Sequence, residues 1–265
     1  MASITALTPS DSGATTVALV CTLVCRWDPD DEYPVQLLAL RDERRSRSFD
    51  GPGEWWPQAP GVVGGRDRVA GGSWCVSDPA TAATAVVLNR SERRIAATGA
   101  PSRGVVPLLA VTYGPAWPQH LPLAGMASFN LVLARPDQLW HWSFDGTTLT
   151  SETLGAGTHL FKPAGRVLTG IEPRILAGRT QLSDQTTPTD LAWGGWFTAL
   201  AGAVPHSDGS GLLTRNRLED GDTYETVFAE FIAGAPGSLR IDYLIDPISG
   251  GEWTTQHRGS QSATG

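Results

Sequence analysis

The sequence has one lysine, Lys162, against nineteen arginines, and only two methionines and three cysteines in 265 residues. Three cysteines are odd in number and few, which excludes a disulfide-built scaffold. Charged residues make up 18% and the net charge is -7, with no basic run, so there is no electrostatic footprint for nucleic acid. No apolar run reaches the roughly 18 residues that mark a membrane-crossing helix. No Gly-x-Ser-x-Gly occurs, so a serine nucleophile elbow is unsupported. The histidines (His120, His141, His159, His206, His257) are scattered without metal-ligand spacing, and no metal site is expected. The pairs Gly64-Gly65 and Gly71-Gly72 lack a following helix pattern. They therefore read as β-turns rather than a phosphate-cradling loop.

What is present describes one globular domain. Hydrophobic residues make up 41%, and a chain of this length buries roughly three quarters of its unfolded surface on folding. Residues 1–15 are small and polar without periodicity and read as a disordered extension. The run from Thr16 to Arg26 is β-branched and apolar, which predicts a buried strand. Asp28-Pro29-Asp30-Asp31 is turn chemistry, and Val35 to Leu40 completes a hairpin ending in Arg41-Asp42-Glu43. Cys21 and Cys25 face one side of that strand, about 13 Å apart, too far to pair. Cys25 and Cys75 read as small buried hydrophobes.

Further strands are expected over Ser73–Ser77, Ala83–Asn89, Ser128–Ala134, Gln138–Phe144, Thr147–Leu154, Thr223–Ile232 and Ser238–Asp246. Ser102 is placed to cap a short helix before the apolar run Val105–Tyr113. A second helix is expected over Thr189–Val204, weakened by Gly194 and Gly195. Residues 44–60 and 205–222 read as loops, and residues 256–265 as a polar flexible tail. This order predicts an α+β chain with antiparallel sheets and a single domain over residues 21–255.

Several separated motifs share one resemblance. Cys21-Thr22-Leu23-Val24, Tyr33-Pro34 and Leu38-Ala39-Leu40-Arg41-Asp42-Glu43 resemble the start of the NRDE family, also called the transport and Golgi organisation protein 2 family. The likeness continues through Trp56-Pro57, Gly64-Gly65-Arg66-Asp67, Ala70-Gly71-Gly72-Ser73-Trp74, Leu88-Asn89-Arg90, Ser102-Arg103-Gly104 and Phe129-Asn130-Leu131. Leu40 stands where the family has Asn, and the Ser-Asn that follows the family's Gly-x-His piece is absent after Gly157-Thr158-His159. The family's cysteine follows the initiator Met, whereas here Val20 precedes Cys21. The resemblance therefore implies that Cys21 is the mature N-terminus, with residues 1–20 a mis-assigned start or a propeptide.

The resemblance implies a four-layer αββα sandwich of the N-terminal-nucleophile hydrolase kind and an amidohydrolase acting on a small molecule. Cys21 would be nucleophile, with its own α-amine as base. Arg41 and Asp42 would sit beside it, and Asn89 would donate to the oxyanion. Strand alternation puts Arg41 and Glu43 on one face and Asp42 on the other, so either carboxylate can be the partner. Asn130 is a second amide candidate. The alternative is a non-catalytic protein that binds or moves haem or a lipid on the same fold, with haem as cargo and no resident cofactor. The expected compartment is the cytoplasm.

Overall fold

The computed structural model describes residues 21–90, 96–166, 193, 200–207 and 212–259. These residues form two sheets, antiparallel except for one short parallel pair. The first sheet starts from the hairpin of β1 (Thr22–Trp27) and β2 (Val35–Arg44). The second is a meander of β3 (Phe49–Gly53), β4 (Val63–Asp67), β5 (Cys75–Asp78), β6 (Ala83–Asn89), β7 (Phe129–Arg135), β8 (Gln138–Phe144) and β9 (Leu149–Leu154). The chain then returns to the first sheet. There β10 (Gly157–Lys162) pairs with β1, β11 (Gly165–Arg166) with β10, and the long β14 (Thr223–Ala235) with β2. Strands β12 (Pro205–His206), β13 (Leu213–Arg217), β15 (Ser238–Ile245) and β16 (Trp253–Gly259) extend it beyond β14.

The period-two alternation of strands divides the apolar residues between faces. Leu23, Cys25, Leu37, Ala39, Phe161 and Ile232 of the first sheet meet Val63, Cys75, Val86, Leu88 and Val132 of the second in one buried core. The intervening residues face outward. On the second sheet, Ala85, Leu131, Leu133, Trp142 and Phe144 pack on Val106, Leu108 and Val111 of the helix α1 (Val106–Tyr113) and on Trp117. On the first sheet, Val24, Leu38, Leu40 and Phe231 pack with Trp193 and Leu200. Each fully buried large apolar side chain contributes roughly 1.5–3 kcal/mol. α1 is eight residues long. Ser102 accepts from the Gly104 amide at the start of the 3-10 turn (Arg103–Val105) that leads into it. The helix expected over Thr189–Val204 falls largely outside the described residues, as does the extension 1–20.

Several segments read as loop or turn are strands. β3 lies within 44–60, β12 and β13 within 205–222, and the tail expected from Gln256 begins inside β16. Their sequences, such as Leu-Thr-Arg-Asn-Arg in β13, lack apolar alternation because they lie toward sheet edges, where one face is wet. Gly64 and Gly65, read as a turn, belong to β4. A Cβ on Gly64 would sit 2.4 Å from the Cys75 carbonyl oxygen, and one on Gly65 would sit 2.3 Å from the Trp74 ring. The glycines are there for close approach, not for chain reversal. All three cysteines are free thiols. No helix among the described residues is long and apolar enough to cross a membrane.

Candidate active site

Strand register brings the hairpin residues together. Antiparallel pairing sets Thr22 opposite Leu40, which places Cys21 beside Arg41. On the other side of β2, Asp42 pairs with Thr226 and Arg41 with Phe228. Val227 between them is an extra residue, a bulge that alters the local twist of β14 beside the site. Along β2 the alternation holds. Arg41 reaches Glu43 at 3.6 Å on the face turned to the second sheet, while the Asp42 carboxylate accepts from the Thr226 hydroxyl at 2.5 Å. The carboxylate on the Arg41 face is thus Glu43.

Arg41 is 4% exposed and is gripped on several sides. Its Nη2 meets Asp67 at 3.2 Å, and its guanidinium lies 4.6 Å from the Trp74 ring and 5.2 Å from the Phe49 ring. Its Nη1 is buried and makes no hydrogen bond. Asp67 also accepts from Arg47 Nε at 2.7 Å and from the amides of Val69 and Ala70 at 2.9 Å. Burial works to raise the Asp67 carboxyl, but the Arg47 and Ala70 hydrogen bonds and the charges of Arg47 and Arg41 hold it below its ordinary value.

The Cys21 thiol donates to the Asp42 carbonyl at 3.8 Å. Burial first, then the charge of Asp42, pushes it up to about 12, and Arg41 only partly opposes this. With its upstream peptide in place, Cys21 is therefore a neutral thiol at neutral pH. The Tyr224 hydroxyl donates to the same carbonyl at 2.8 Å. Burial, with the nearby Cys21 and Asp42, holds that phenol well above its ordinary value.

These groups line one open cavity of about 570 Å³, within the size range of small-molecule sites. Cys21, Arg41, Asp42, Glu43 and Asn89 all contribute to its lining. Asn89 ends β6, opposite Phe129, and is among the lining residues. Part of the lining is fixed by a tight seam: the Ser73 amide donates to the Gly104 carbonyl at 2.9 Å, and a Cβ on Gly72 would lie 2.4 Å from the Gly104 carbonyl carbon.

Asn130 is not among the residues that line the cavity. Its amide nitrogen donates to the Lys162 and Pro163 carbonyls at 3.5 and 3.3 Å, and its oxygen accepts from Ser143 at 2.8 Å. It ties the two sheets together and is fully buried. The sequence reading missed Asp67, Trp74, Arg103 and Tyr224 as cavity residues. The first three lie inside motifs the resemblance had picked out, and Tyr224 opens the segment Tyr224–Ala229, a later and thinner part of the same likeness, which the β2–β14 pairing brings to Asp42. No histidine lines the cavity, and no group of three His, Cys, Asp or Glu able to hold a metal occurs among the described residues.

Fold and site together define a two-sheet, mostly antiparallel sandwich with a thiol and a buried guanidinium lining one cavity. The family model described as Transport and Golgi organisation 2 matches residues 20–182, and the chain belongs to that family. No curated protein matches the chain.

Proposed function

We propose that the protein is a cysteine N-terminal-nucleophile amidohydrolase, on a four-layer αββα sandwich, acting on the amide of a small molecule. The observation that carries this reading is the convergence of Cys21, Arg41 and Asn89 on one cavity. The match to the family model begins one residue before Cys21, which supports Cys21 as the mature N-terminus.

The chemistry follows from the neutral thiol. A resting thiolate is disfavoured, so the proton must leave as attack occurs. A free α-amine on Cys21, with an ordinary value of about 7.7–8.0, is placed to take it. The sulfur then attacks the amide carbonyl carbon, and the Asn89 amide donates to the resulting oxyanion. Collapse breaks the C–N bond, and the leaving amine receives the proton from the ammonium. Water attacks the thioester next, with the α-amine again taking a proton, and releases the acid and the thiol. Arg41 offsets negative charge on sulfur. Glu43 holds Arg41 from its own face, and Asp42 offers its carbonyl to the thiol.

The test is iodoacetamide alkylation at neutral pH on protein beginning at Cys21. Fast, selective labelling of Cys21 with turnover of N-acyl substrates is expected. Slow labelling with no turnover contradicts the reading.

One observation favours a second reading, a binding or trafficking protein for haem or a lipid. The thiol pushed up to about 12 is a poor resting nucleophile. Among the described residues no histidine lines the cavity, so Cys21 would be the ligand there for haem iron, and binding would have to draw off its proton. A haemin titration with a Soret shift lost in Cys21→Ala supports this second reading, and an unshifted band opposes it.

A further inference from the structure

Trp74 is the platform on which Arg41 lies, with the guanidinium 4.6 Å from its ring. Packing holds most of that ring. Phe49 and Phe228 meet it in T-shaped contacts at 5.7 and 5.4 Å, and Gly65 leaves the space that its six-membered end fills. The indole N–H edge is held differently. Its Nε1 is buried and makes no hydrogen bond, and the carboxyl beside it is that of Glu230.

Glu230 comes from the first sheet. It stands two residues along β14 from Phe228, the register partner of Arg41, so Glu230 and Phe228 share one face of that strand. Its own register partners are Ala39 on β2 and Tyr243 on β15. It is 1% exposed, its Oε1 makes no hydrogen bond, and its polar neighbours are Cys75 and Trp74. Among the described residues it pairs with no cation, and burial keeps its proton on at neutral pH. A carboxyl oxygen and an indole N–H, both buried and side by side, are each costly while unpaired. A neutral carboxyl that accepts the indole N–H removes both costs at once.

We propose that Glu230 is a positioning residue for Arg41 and acts through Trp74. The aromatic contacts hold the tilt of the indole ring, and the Glu230 carboxyl holds its N–H edge. The guanidinium stacked on that ring thereby keeps its place near Cys21, where its charge favours the thiolate. Glu230 itself does not line the cavity. The inference rests on the amidohydrolase reading only in taking Cys21 as the reacting group, and the positioning is read from the thiol without a substrate.

The readout is the rate at which iodoacetamide alkylates Cys21 at neutral pH, followed by mass spectrometry on the full chain, with a melting temperature for each variant. Glu230→Leu takes away the acceptor and slows alkylation about threefold or more, in the same direction as Arg41→Gln. Glu230→Gln keeps an acceptor oxygen and restores the parental rate. Trp74→Phe keeps a ring under Arg41 but has no N–H, and in that background Glu230→Leu changes the rate no further. A group that only filled the core would move the melting temperature and leave the alkylation rate alone. Where Glu230→Leu does not fold, Glu230→Met, closer to glutamate in length, replaces it. Three results overturn the positioning: a parental rate in folded Glu230→Leu or Glu230→Met, a Glu230→Gln as slow as Glu230→Leu, or a Glu230→Leu effect undiminished in Trp74→Phe. Turnover of N-acyl substrates with alkylation indifferent to Glu230 also overturns it and leaves the amidohydrolase reading standing. Alkylation that follows Glu230 in a parent protein without turnover overturns the amidohydrolase reading and leaves the positioning standing.

Discussion

Cys21 and Tyr224 meet on a single oxygen: the thiol donates to the Asp42 carbonyl at 3.8 Å and the phenol donates to the same atom at 2.8 Å. A residue late in the chain thus completes the surroundings of one at the first strand. The link runs through β14, whose bulge at Val227 sits where β2 delivers Arg41 and Asp42. Removing the hydroxyl tests it. Tyr224→Phe leaves the ring packed and deletes one buried hydrogen bond, so unfolding in urea shows a loss of about 1 kcal/mol. No change would mean that the bond does not hold the site.

Arg41 is both ion-paired and stacked, and its two roles separate by substitution. Arg41→Gln deprives the site of a buried charge and is expected to cost about 3 kcal/mol. It also slows Cys21 alkylation, because the one nearby cation that favours the thiolate is gone. Arg41→Lys keeps the charge but loses the planar stack on Trp74, so it recovers little of the lost stability. Full recovery by lysine would show that charge alone matters.

Two neighbouring glycines are expected to behave differently. Gly71 has φ +74 with open space around its Cβ position, whereas Gly72 would drive a Cβ to 2.4 Å from the Gly104 backbone. Gly71→Ala costs about 1–2 kcal/mol of backbone strain. Gly72→Ala forces the seam beside Arg103 apart and costs more, above about 3 kcal/mol. Thermal melts of the two variants give the order, and the reverse order contradicts the seam.

Glu230 lies 1% exposed in the core between the sheets. Burial pushes its carboxyl up to about 8, against the polar groups of Cys75 and Trp74 nearby. The folded state holds its proton where the unfolded chain, ordinary for glutamate at about 4.3, has lost it. Its contribution is therefore full below about pH 4.3 and is lost as pH rises through about 8. Glu230→Gln removes this term. The variant gains on the parent between pH 5 and pH 8, by a few kcal/mol in order of magnitude, and the gap then levels off. Melting curves at pH 5, 7 and 9 check it; a constant gap would show that Glu230 is ionised in the fold.

The hairpin and the meander were legible because their residues alternate. Ala83–Asn89 and Gln138–Phe144 were read to the residue, since each is a short apolar-rich run that packs into a core on both faces. The strands that escaped are of another kind. β4 contains Gly64 and Gly65, whose purpose is the approach of Cys75 and Trp74, and only the packed sheets reveal that. β16 reads Trp-Thr-Thr-Gln-His-Arg-Gly, polar enough for a tail, and is a strand because β15 offers it an edge. For the site, Arg41, Asp42 and Glu43 followed from the hairpin and the resemblance, and alternation alone separated Glu43 from Asp42. The Asn130 side chain was not legible: its partners Lys162 and Pro163 belong to the other sheet.

The central claim is that Cys21 begins the working protein and supplies both thiol and base. Its most direct test is the intact mass of the protein purified from its native host. The account predicts a chain starting at Cys21, lighter by residues 1–20. A functional native chain that still carries those residues would contradict it, because the nitrogen of Cys21 would then be an amide and no base.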